Sequence, residues 1–502
     1  MWIEILAHVF PITELPGRGQ HPHRFVGNSC PDNNSGGAVT AVTTRTARPP
    51  VDVVTGSTRS LRPDVLGAAA AFSLLFVVAL WVRGRGLQDL TGWWTGVTSI
   101  GRLTGLVSAE LLLIQVLLMA RVPWIERTYG QDRLAHWHRL VGFTSFNLML
   151  AHIVLITLGY AGTASVPVLR EAWDLVTTYP GMLLATAGSA ALVMVAVTSV
   201  RAARRRLRYE SWHLLHLYAY LGAGLALPHQ LWTGADFTAS PLAAAYWWTA
   251  YGVCAAAVVV FRLGVPVWRT VRHRLEVAAV VPEAPGVHSI YLRGRDLHRL
   301  PVRAGQFLQW RFLAGPGWSR AHPYSLSAAP RPGSLRITVK SLGDDSRRVS
   351  TLRPGTKVLI EGPYGRLTAD RRTARRVTMI ASGVGITPLR ALLEELAYSP
   401  GDVTLLYRTR SDADLVFRRE LEHLAAVRGV RVLYLLGPRG RDGSWLPAGW
   451  GDDAQSLRHL VPDIARHDVF VCGPDPWMES VVRAARRATV PADRIHLERF
   501  TW

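Results

Sequence analysis

Cysteine is scarce in this chain: three residues in 502 (Cys30, Cys254 and Cys472), with no CxxC pair. That excludes a disulfide framework, a zinc ribbon and a cysteine-held iron–sulfur cluster. Lysine is scarcer still, present only as Lys340 and Lys357. Acidic side chains are outnumbered, 36 against 57 Lys plus Arg, for a formal charge of +21. Only 19% of residues are charged and 49% are hydrophobic, which excludes a disordered or collagen-like chain. The basic balance leaves two classes of partner, nucleic acid and anionic lipid. The arginines cluster beside long apolar runs and no recognition motif stands out, so the membrane is the partner and nucleic acid is not.

Residues 1–62 are polar and rich in Pro, Gly and Thr, and are expected to form a disordered basic tail. The opening MWIEILAHVF lacks a basic n-region and carries Glu4, so it does not read as a signal peptide. Six apolar stretches follow, near 65–82, 103–120, 137–159, 182–199, 212–232 and 243–263. Each is close to the ~20 residues that cross a bilayer core. Arginines concentrate in the second–third and fourth–fifth connections and after the sixth stretch, which places both termini in the cytoplasm of a multi-pass cell-membrane protein.

The third stretch holds His138 and His152, fourteen apart, and the fifth holds His216 and His229, thirteen apart. Ligand-type residues inside a bilayer are expensive and mark function. At about 1.5 Å per residue each pair spans roughly 20 Å, which suits two haems stacked through the membrane, since imidazole is a common axial ligand. Fourteen residues keep one helix face within about 40°, whereas thirteen leave about 140° of mismatch. Pro228, beside His229, would kink or end the helix and re-aim that ring. His213 is the rival of His216. Glu110, in the second stretch, is either buried against a polar partner, the preferred reading, or part of a proton or ligand path.

Beyond residue 269 the chain reads as soluble. Short β-branched runs between turns, such as LRITVK and TKVLIEG, predict a small antiparallel barrel over 269–372. Strand and helix patterns then alternate over 373–502, which predicts a parallel sheet with helices on its faces. In the first part, His322-Pro323-Tyr324-Ser325-Leu326-Ser327 offers a ring to stack on a flat heterocycle and a hydroxyl to bond it. Gly343 with Ser346, and Gly362-Pro363-Tyr364-Gly365, sit at later turns and are either phosphate contacts or ordinary turns. In the second part, Gly383-Val384-Gly385-Ile386-Thr387-Pro388 joins a strand to a helix, the place for a pyrophosphate, although Pro388 departs from the usual glycine fingerprint. Cys472-Gly473-Pro474 ends a later strand, where Cys472 is either an inert buried thiol or a nicotinamide contact. Arg408 and Arg410 follow another strand and either grip a 2′-phosphate or lie solvated.

Taken in order, paired histidines, HPYS, GDDS, GPYG, GVGITP, CGP and a final Glu498-Arg499-Phe500-Thr501-Trp502, the chain over about 65–502 resembles a bacterial member of the NADPH oxidase and ferric reductase superfamily. The resemblance implies a six-helix transmembrane haem bundle over 63–268, an antiparallel β-barrel FAD domain and an α/β nucleotide-binding domain. It implies two b-type haems, one on His138 and His216 and one on His152 and His229. It places Tyr324 and Ser325 on the flavin, and Gly343 and Ser346 near FAD phosphates. Gly383, Gly385, Thr387 and Pro388 would hold NADPH or NADH, with Cys472 and Glu498 near hydride transfer and Phe500 or Trp502 covering the flavin. His322 stands where many soluble relatives carry arginine, which puts the phosphate anchor in doubt. The implied activity passes electrons from cytosolic NAD(P)H through FAD and two haems to an extracytoplasmic acceptor: oxygen, a ferric chelate or a protein. With two histidines on each iron, oxygen reduction would be outer-sphere. The rival readings are a haem-containing membrane subunit serving quinone or a partner protein, and a membrane-anchored flavin reductase without haem.

Overall fold

The computed structural model describes residues 39–42, 62–200, 209–238, 240–315, 317–440 and 443–499. The first part is helical: α1 (Arg62–Arg83), α2 (Trp93–Met119), α3 (Pro123–Tyr129), α4 (Gln131–Ala164), α5 (Val168–Thr178), α6 (Met182–Ser199), α7 (Tyr209–Thr233) and α8 (Pro241–Ala257). Ser240 caps α8, its hydroxyl accepting from Ala243 N–H at 3.2 Å, with Pro241 at the first helical position. A π-helical turn, Val258–Gly264, carries α8 on into α9 (Val265–His273).

Among the described residues, five stretches are long and apolar enough to cross a membrane: Val65–Arg83, Trp93–Met119, Arg133–Ala164, Met182–Ser199 and Pro241–His273. The expectation of six is corrected to five. The remaining one, α7, is a helix of 25 residues, so it has the length. Its His213, His216, His229 and Gln230 dilute the apolar character that the others keep. Large hydrophobic side chains such as Phe72, Phe143 and Leu183 are exposed around the helices, as a lipid-facing surface requires. Between helices the contacts use small residues. Ser108 and Ser145 exchange hydroxyl-to-carbonyl bonds of 2.7 and 2.9 Å between α2 and α4. A Cβ on Gly188 of α6 would lie 2.6 Å from the carbonyl of Gly222 on α7, the close backbone approach that small residues allow in a bilayer.

The strands expected as a barrel form two three-stranded antiparallel sheets. One has the order β2 (Glu276–Ala284), β3 (Val287–Arg293), β6 (Ser334–Lys340); the other has β5 (His322–Ser325), β4 (Phe307–Phe312), β7 (Val358–Tyr364). They share a core of Leu292, Ile337, Leu308, Trp310 and Leu326. The bridges Glu276–Lys357 and Leu326–Ile337, with backbone hydrogen bonds such as Val358 N–H to Leu275 and Ser327 N–H to Arg336, link them.

The last part is the expected parallel sheet: β8 (Val377–Ser382), β9 (Val403–Thr409), β10 (Arg431–Leu436), β11 (Asp468–Cys472) and β12 (Ile495–Glu498), in the order β10-β9-β8-β11-β12. α11 (Ile386–Glu395) and α12 (Arg418–Arg428) cover one face, α13 (Asp453–Leu460) and α14 (Asp475–Arg487) the other. Strands buried on both faces explain the near-continuous runs VTLLY and VRVLYLL. One difference lies in the segment expected to be disordered: β1 (Val39–Val42) pairs antiparallel with β10 at the sheet edge. The rest of residues 1–61 lies outside the described residues. Glu420 of α12 accepts a bidentate pair from Arg336 of β6 at 2.7 and 2.9 Å, and ties the nucleotide sheet to the antiparallel sheets.

Candidate functional site

The four histidines meet in two layers between α4 and α7. The ring centres of His138 and His216 are 6.0 Å apart, and those of His152 and His229 are 6.4 Å apart. His216, not His213, faces His138; His213 stands among Arg262, Arg311 and Glu361. α7 runs unbroken through Pro228, so the phase mismatch is absorbed within one helix, not by ending it. Three rings have Nδ1 beside a backbone carbonyl: His138 on Gln115 at 3.0 Å, His152 on Gly101 at 2.8 Å, His229 on Ala226 at 2.9 Å. A carbonyl only accepts, so Nδ1 carries the proton in each and Nε2 carries the lone pair. This is the outer-shell bond that orients a metal-ligating imidazole. His216 Nδ1 lies 3.2 Å from Ser199 Oγ, to which Trp212 Nε1–H also donates at 3.3 Å. Gly105 seats His152, since a Cβ there would lie 2.4 Å from Nδ1.

The layer of His138 lies nearer the antiparallel sheets, and a buried polar seam joins the two parts. Arg121 donates to Glu126 at 3.2 Å and lies over the Tyr364 ring at 4.2 Å, while Tyr364 O–H donates to Glu361 at 2.8 Å. Arg366 Nη1–H donates to the carbonyl of Tyr129, at the end of α3, at 3.0 Å. Burial alone would raise Glu361, but Arg121, Arg262 and Arg311 hold its carboxyl below the usual range. Burial, then Glu361, pushes the Tyr364 hydroxyl far up, so it stays a donor.

Beyond the seam lies a cradle. Tyr324 is stacked by His322 with ring centres 5.9 Å apart, and its carbonyl accepts from Trp310 Nε1–H at 2.9 Å. Burial, then Asp345, pushes the Tyr324 hydroxyl up. Pro323 is half-buried between His322 and Tyr324. Ser325 is 3% exposed and its Oγ has no hydrogen-bond partner among the described residues, an orphan that a bound heterocycle would satisfy. Leu326 and Ser327, expected as cofactor contacts, are engaged within the protein. Leu326 is in the core between the sheets. Ser327 Oγ accepts from Thr338 at 2.8 Å and Arg336 at 3.2 Å. Ser346 Oγ accepts from Gly343 N–H at 2.9 Å and closes the start of a short exposed helix, α10 (Asp344–Arg348).

At the carboxyl edge of the parallel sheet, the Gly383–Gly385 turn leads into the N-terminus of α11, a place that favours an anion. Thr387 Oγ1–H closes the turn on the Val384 carbonyl at 3.0 Å, and Pro388 is buried behind it. Gly385 packs on β11, where its Cβ would lie 2.2 Å from the Cys472 carbonyl. Cys472 and Glu498 are register partners on β11 and β12. Cys472 is fully buried, and burial, then Glu498, pushes its thiol well up, so it is a neutral thiol behind the edge, not a surface contact. Gly473 is buried beside it and Pro474 is exposed. Glu498 accepts from Arg366 N–H at 3.2 Å, which brings the edge, the seam and the end of β7 together. Arg408 folds back onto the Thr409 carbonyl and is 5% exposed; Arg410 is exposed. Burial, then Arg410 and Arg439, lowers the Arg408 guanidinium. Phe500 and Trp502 lie outside the described residues.

Sequence reasoning missed Arg121, Glu126, Arg366 and Arg439. Arg121 counted only toward membrane orientation, and no local pattern joins it to Tyr364.

A family model described as the ferric reductase like transmembrane component matches residues 104–227, which include His138, His152 and His216; an oxidoreductase NAD-binding domain matches 379–483. The reductase subunit of glycine betaine monooxygenase from Chromohalobacter salexigens is 29% identical over 243 residues, 46% of this chain and 65% of that protein. The ferredoxin reductase component of 3-ketosteroid-9-alpha-monooxygenase from Mycobacterium tuberculosis is 31% identical, over 45% of this chain and 64% of that one. The chain thus spans less than two thirds of both. Ferredoxin–NADP reductase B of Sorangium cellulosum is 32% identical over 44% of this chain and 95% of its own length. Among solved structures, the FAD/NAD-binding domain of a Vibrio cholerae nitric oxide dioxygenase is 26% identical with a TM-score of 0.38, covering 45% of this chain and 97% of that one. The chain belongs to the ferredoxin–NADP reductase kind in its NAD-binding oxidoreductase half, and joins it to a ferric-reductase-like transmembrane part, a combination that matches a ferric reductase or NADPH oxidase type of fusion.

Proposed function

We propose that the chain moves electrons from NAD(P)H, through FAD and two haems, across the membrane to an acceptor on the far side, oxygen or a ferric chelate. The observation that carries this is the pair of imidazole separations, 6.0 and 6.4 Å. A metal bonded at about 2.0–2.1 Å to one nitrogen of each ring would hold the two ring centres roughly 6.3 Å apart. The Nε2 lone pairs complete the fit. His138 with His216 would hold the inner haem and His152 with His229 the outer one, and these groups would supply one-electron relay. FAD would supply the step from a two-electron hydride to single electrons.

The chain's own residues do the positioning. Tyr324 stacks on the flavin, and the Ser325 hydroxyl donates to it. Gly343 and Ser346 meet its phosphates, with His322 beside them. Gly383, Gly385, Thr387 and Pro388 shape the nucleotide turn, and Arg410 with Arg439 offers charge for a 2′-phosphate. Glu498 holds the end of β7 against the sheet edge where Cys472 and Gly473 floor the nicotinamide site. Arg121, Glu126 and Tyr364 fix the flavin site against the nearer histidine layer. With the 25-residue α7 counted as a sixth crossing, the arginine distribution supports both termini in the cytoplasm.

The test is stoichiometry in purified full-length protein. Two b-type haems and one FAD per chain are expected, with both haem bands reduced by NADPH; protein carrying flavin without haem would refute the reading. Two substitutions probe the reductase half. Ser325→Ala removes a buried hydroxyl without a partner, so the stability of FAD-free protein holds or rises while FAD binding weakens by about tenfold. Thermal melting and flavin titration check both arms. Arg410→Ala with Arg439→Ala should raise KM for NADPH at least tenfold more than for NADH; steady-state kinetics with both nucleotides decides, and equal rises would refute the phosphate role.

A further inference from the structure

We infer that Glu110 is a proton-binding site within the membrane whose protonation follows the electron occupancy of the two histidine layers. This rests on the proposed function and deepens it.

The argument starts from the two faces of α2. Gly101, Gly105, Ser108 and Gln115 face α4, where they meet His152, Ser145 and His138. Glu110 faces the opposite way, toward α1 and α8. It is 4% exposed. Ser73 O–H donates to its Oε1, Tyr246 O–H donates to its Oε2 at 2.9 Å, and the two hydroxyls lie 2.8 Å apart. Among the described residues no cation pairs with this carboxyl. Arg102, two turns away on α2, is engaged by Asp236 at 2.5 Å and Asp89 at 3.1 Å.

A carboxyl in this place is costly. Glutamine could accept from one hydroxyl through its oxygen and donate to the other through its NH2, without any charge to bury, so hydrogen bonding alone does not call for an acid. What glutamate adds is a proton that can come and go. Holding or releasing that proton changes the local charge by one, so it couples to charge placed nearby.

The nearby charge is that of the relay. Gly105, under His152, and Gln115, bonded to His138, each lie five residues from Glu110. Five residues rise about 7.5 Å, so Glu110 sits midway in depth between the layers and feels an electron on either. The balance is one for one. An electron arriving from the flavin is matched by a proton from water, which forms an O–H bond on the carboxylate. When the electron leaves for the acceptor, that O–H bond breaks and the proton returns to water. The other titratable groups facing Glu110 are Tyr246, Tyr251 and Cys254, all on α8; α1 contributes the Ser73 hydroxyl. Tyr251 O–H donates to Gln230, the neighbour of His229, which extends the polar file toward the far layer.

The test is a potentiometric titration of haem-loaded full-length protein in nanodiscs at a series of pH values, with an infrared reduced-minus-oxidised spectrum. In the wild type the midpoints should fall as pH rises. The limit of one proton per electron is tenfold in affinity per pH unit, about 59 mV for a one-electron couple. A protonated-carboxyl band should appear on reduction. Glu110→Gln should at least halve the slope and abolish the band, and Tyr246→Phe should shift it. If Glu110→Gln is not recovered, the wild-type band and its shift in Tyr246→Phe decide. Equal slopes in wild type and Glu110→Gln, or no carboxyl band, would overturn this inference alone. Wild-type protein purified without haem would overturn the function reading and this inference with it.

Discussion

Replacing His152 by leucine is expected to halve the haem content and stop electron delivery to the far side, while leaving NAD(P)H oxidation by a soluble dye at the flavin within about twofold of wild type. Leucine fills much of the imidazole volume, and its neighbours on α2 and α4 are apolar or small, so the helices stay packed. The Gly101 carbonyl loses its Nδ1–H partner, at a cost of about 1–3 kcal/mol. What disappears is the ligand. The His138 layer is a separate pair on the same two helices and keeps its own bond to Gln115. Haem content by pyridine haemochrome, dye reduction and far-side reduction separate the three effects. Leucine at His138 should give the same halving and also keep electrons from leaving the flavin. Unchanged pigment in both variants would mean that these imidazoles only pack.

The second large effect is at Gly385. Its backbone, at φ −61° and ψ −10°, suits any residue, so alanine there carries no conformational strain. The obstacle is space. A Cβ would lie 2.2 Å from the Cys472 carbonyl oxygen, 2.6 Å from its carbon and 2.8 Å from Gly473 N. All three are backbone atoms of a segment whose strand is paired on both sides, with β8 and β12. The strand cannot yield, so α11 must lift off the sheet. Overpacking of this kind costs about 1–3 kcal/mol. A shift near 1 Å at a reacting site costs about 100-fold in rate. Gly385→Ala should therefore lower NAD(P)H oxidation by about two orders of magnitude with haem content unchanged. Gly383→Ala is the contrast: nothing lies within 4 Å of its Cβ, but its φ is +54°. It should lose only the roughly 1–2 kcal/mol of a left-handed residue. Rapid-mixing flavin reduction and thermal melting of both variants test the comparison.

Much of this was legible because the signals are local. The runs VTMIAS and VTLLYRT became β8 and β9, and GVGITP became the turn before α11. The histidine spacing picked the two helices that face each other. What failed was non-local, or was hidden by the site itself. The histidines that mark α7 are what make it less apolar than its neighbours, so it drops below the other five. β5 stops at Ser325, and its seam with β6 continues only as the Leu326–Ile337 bridge among the described residues. That stop also separates Ser325 from Ser327. A continuing strand would put both on one face, but the chain turns and spends Ser327 on Thr338 and Arg336. Arg121 and Tyr364 are 243 positions apart, and only the folded chain stacks one on the other.

Vesicles test the central claim most directly. Full-length protein is reconstituted with its reductase part outward and a membrane-impermeant ferric chelate trapped inside, and NADPH is added to the outside. The account predicts reduction of the trapped chelate, carried by wild type and abolished by leucine at His152. Trapped chelate that stays oxidised while NADPH is consumed outside would contradict it.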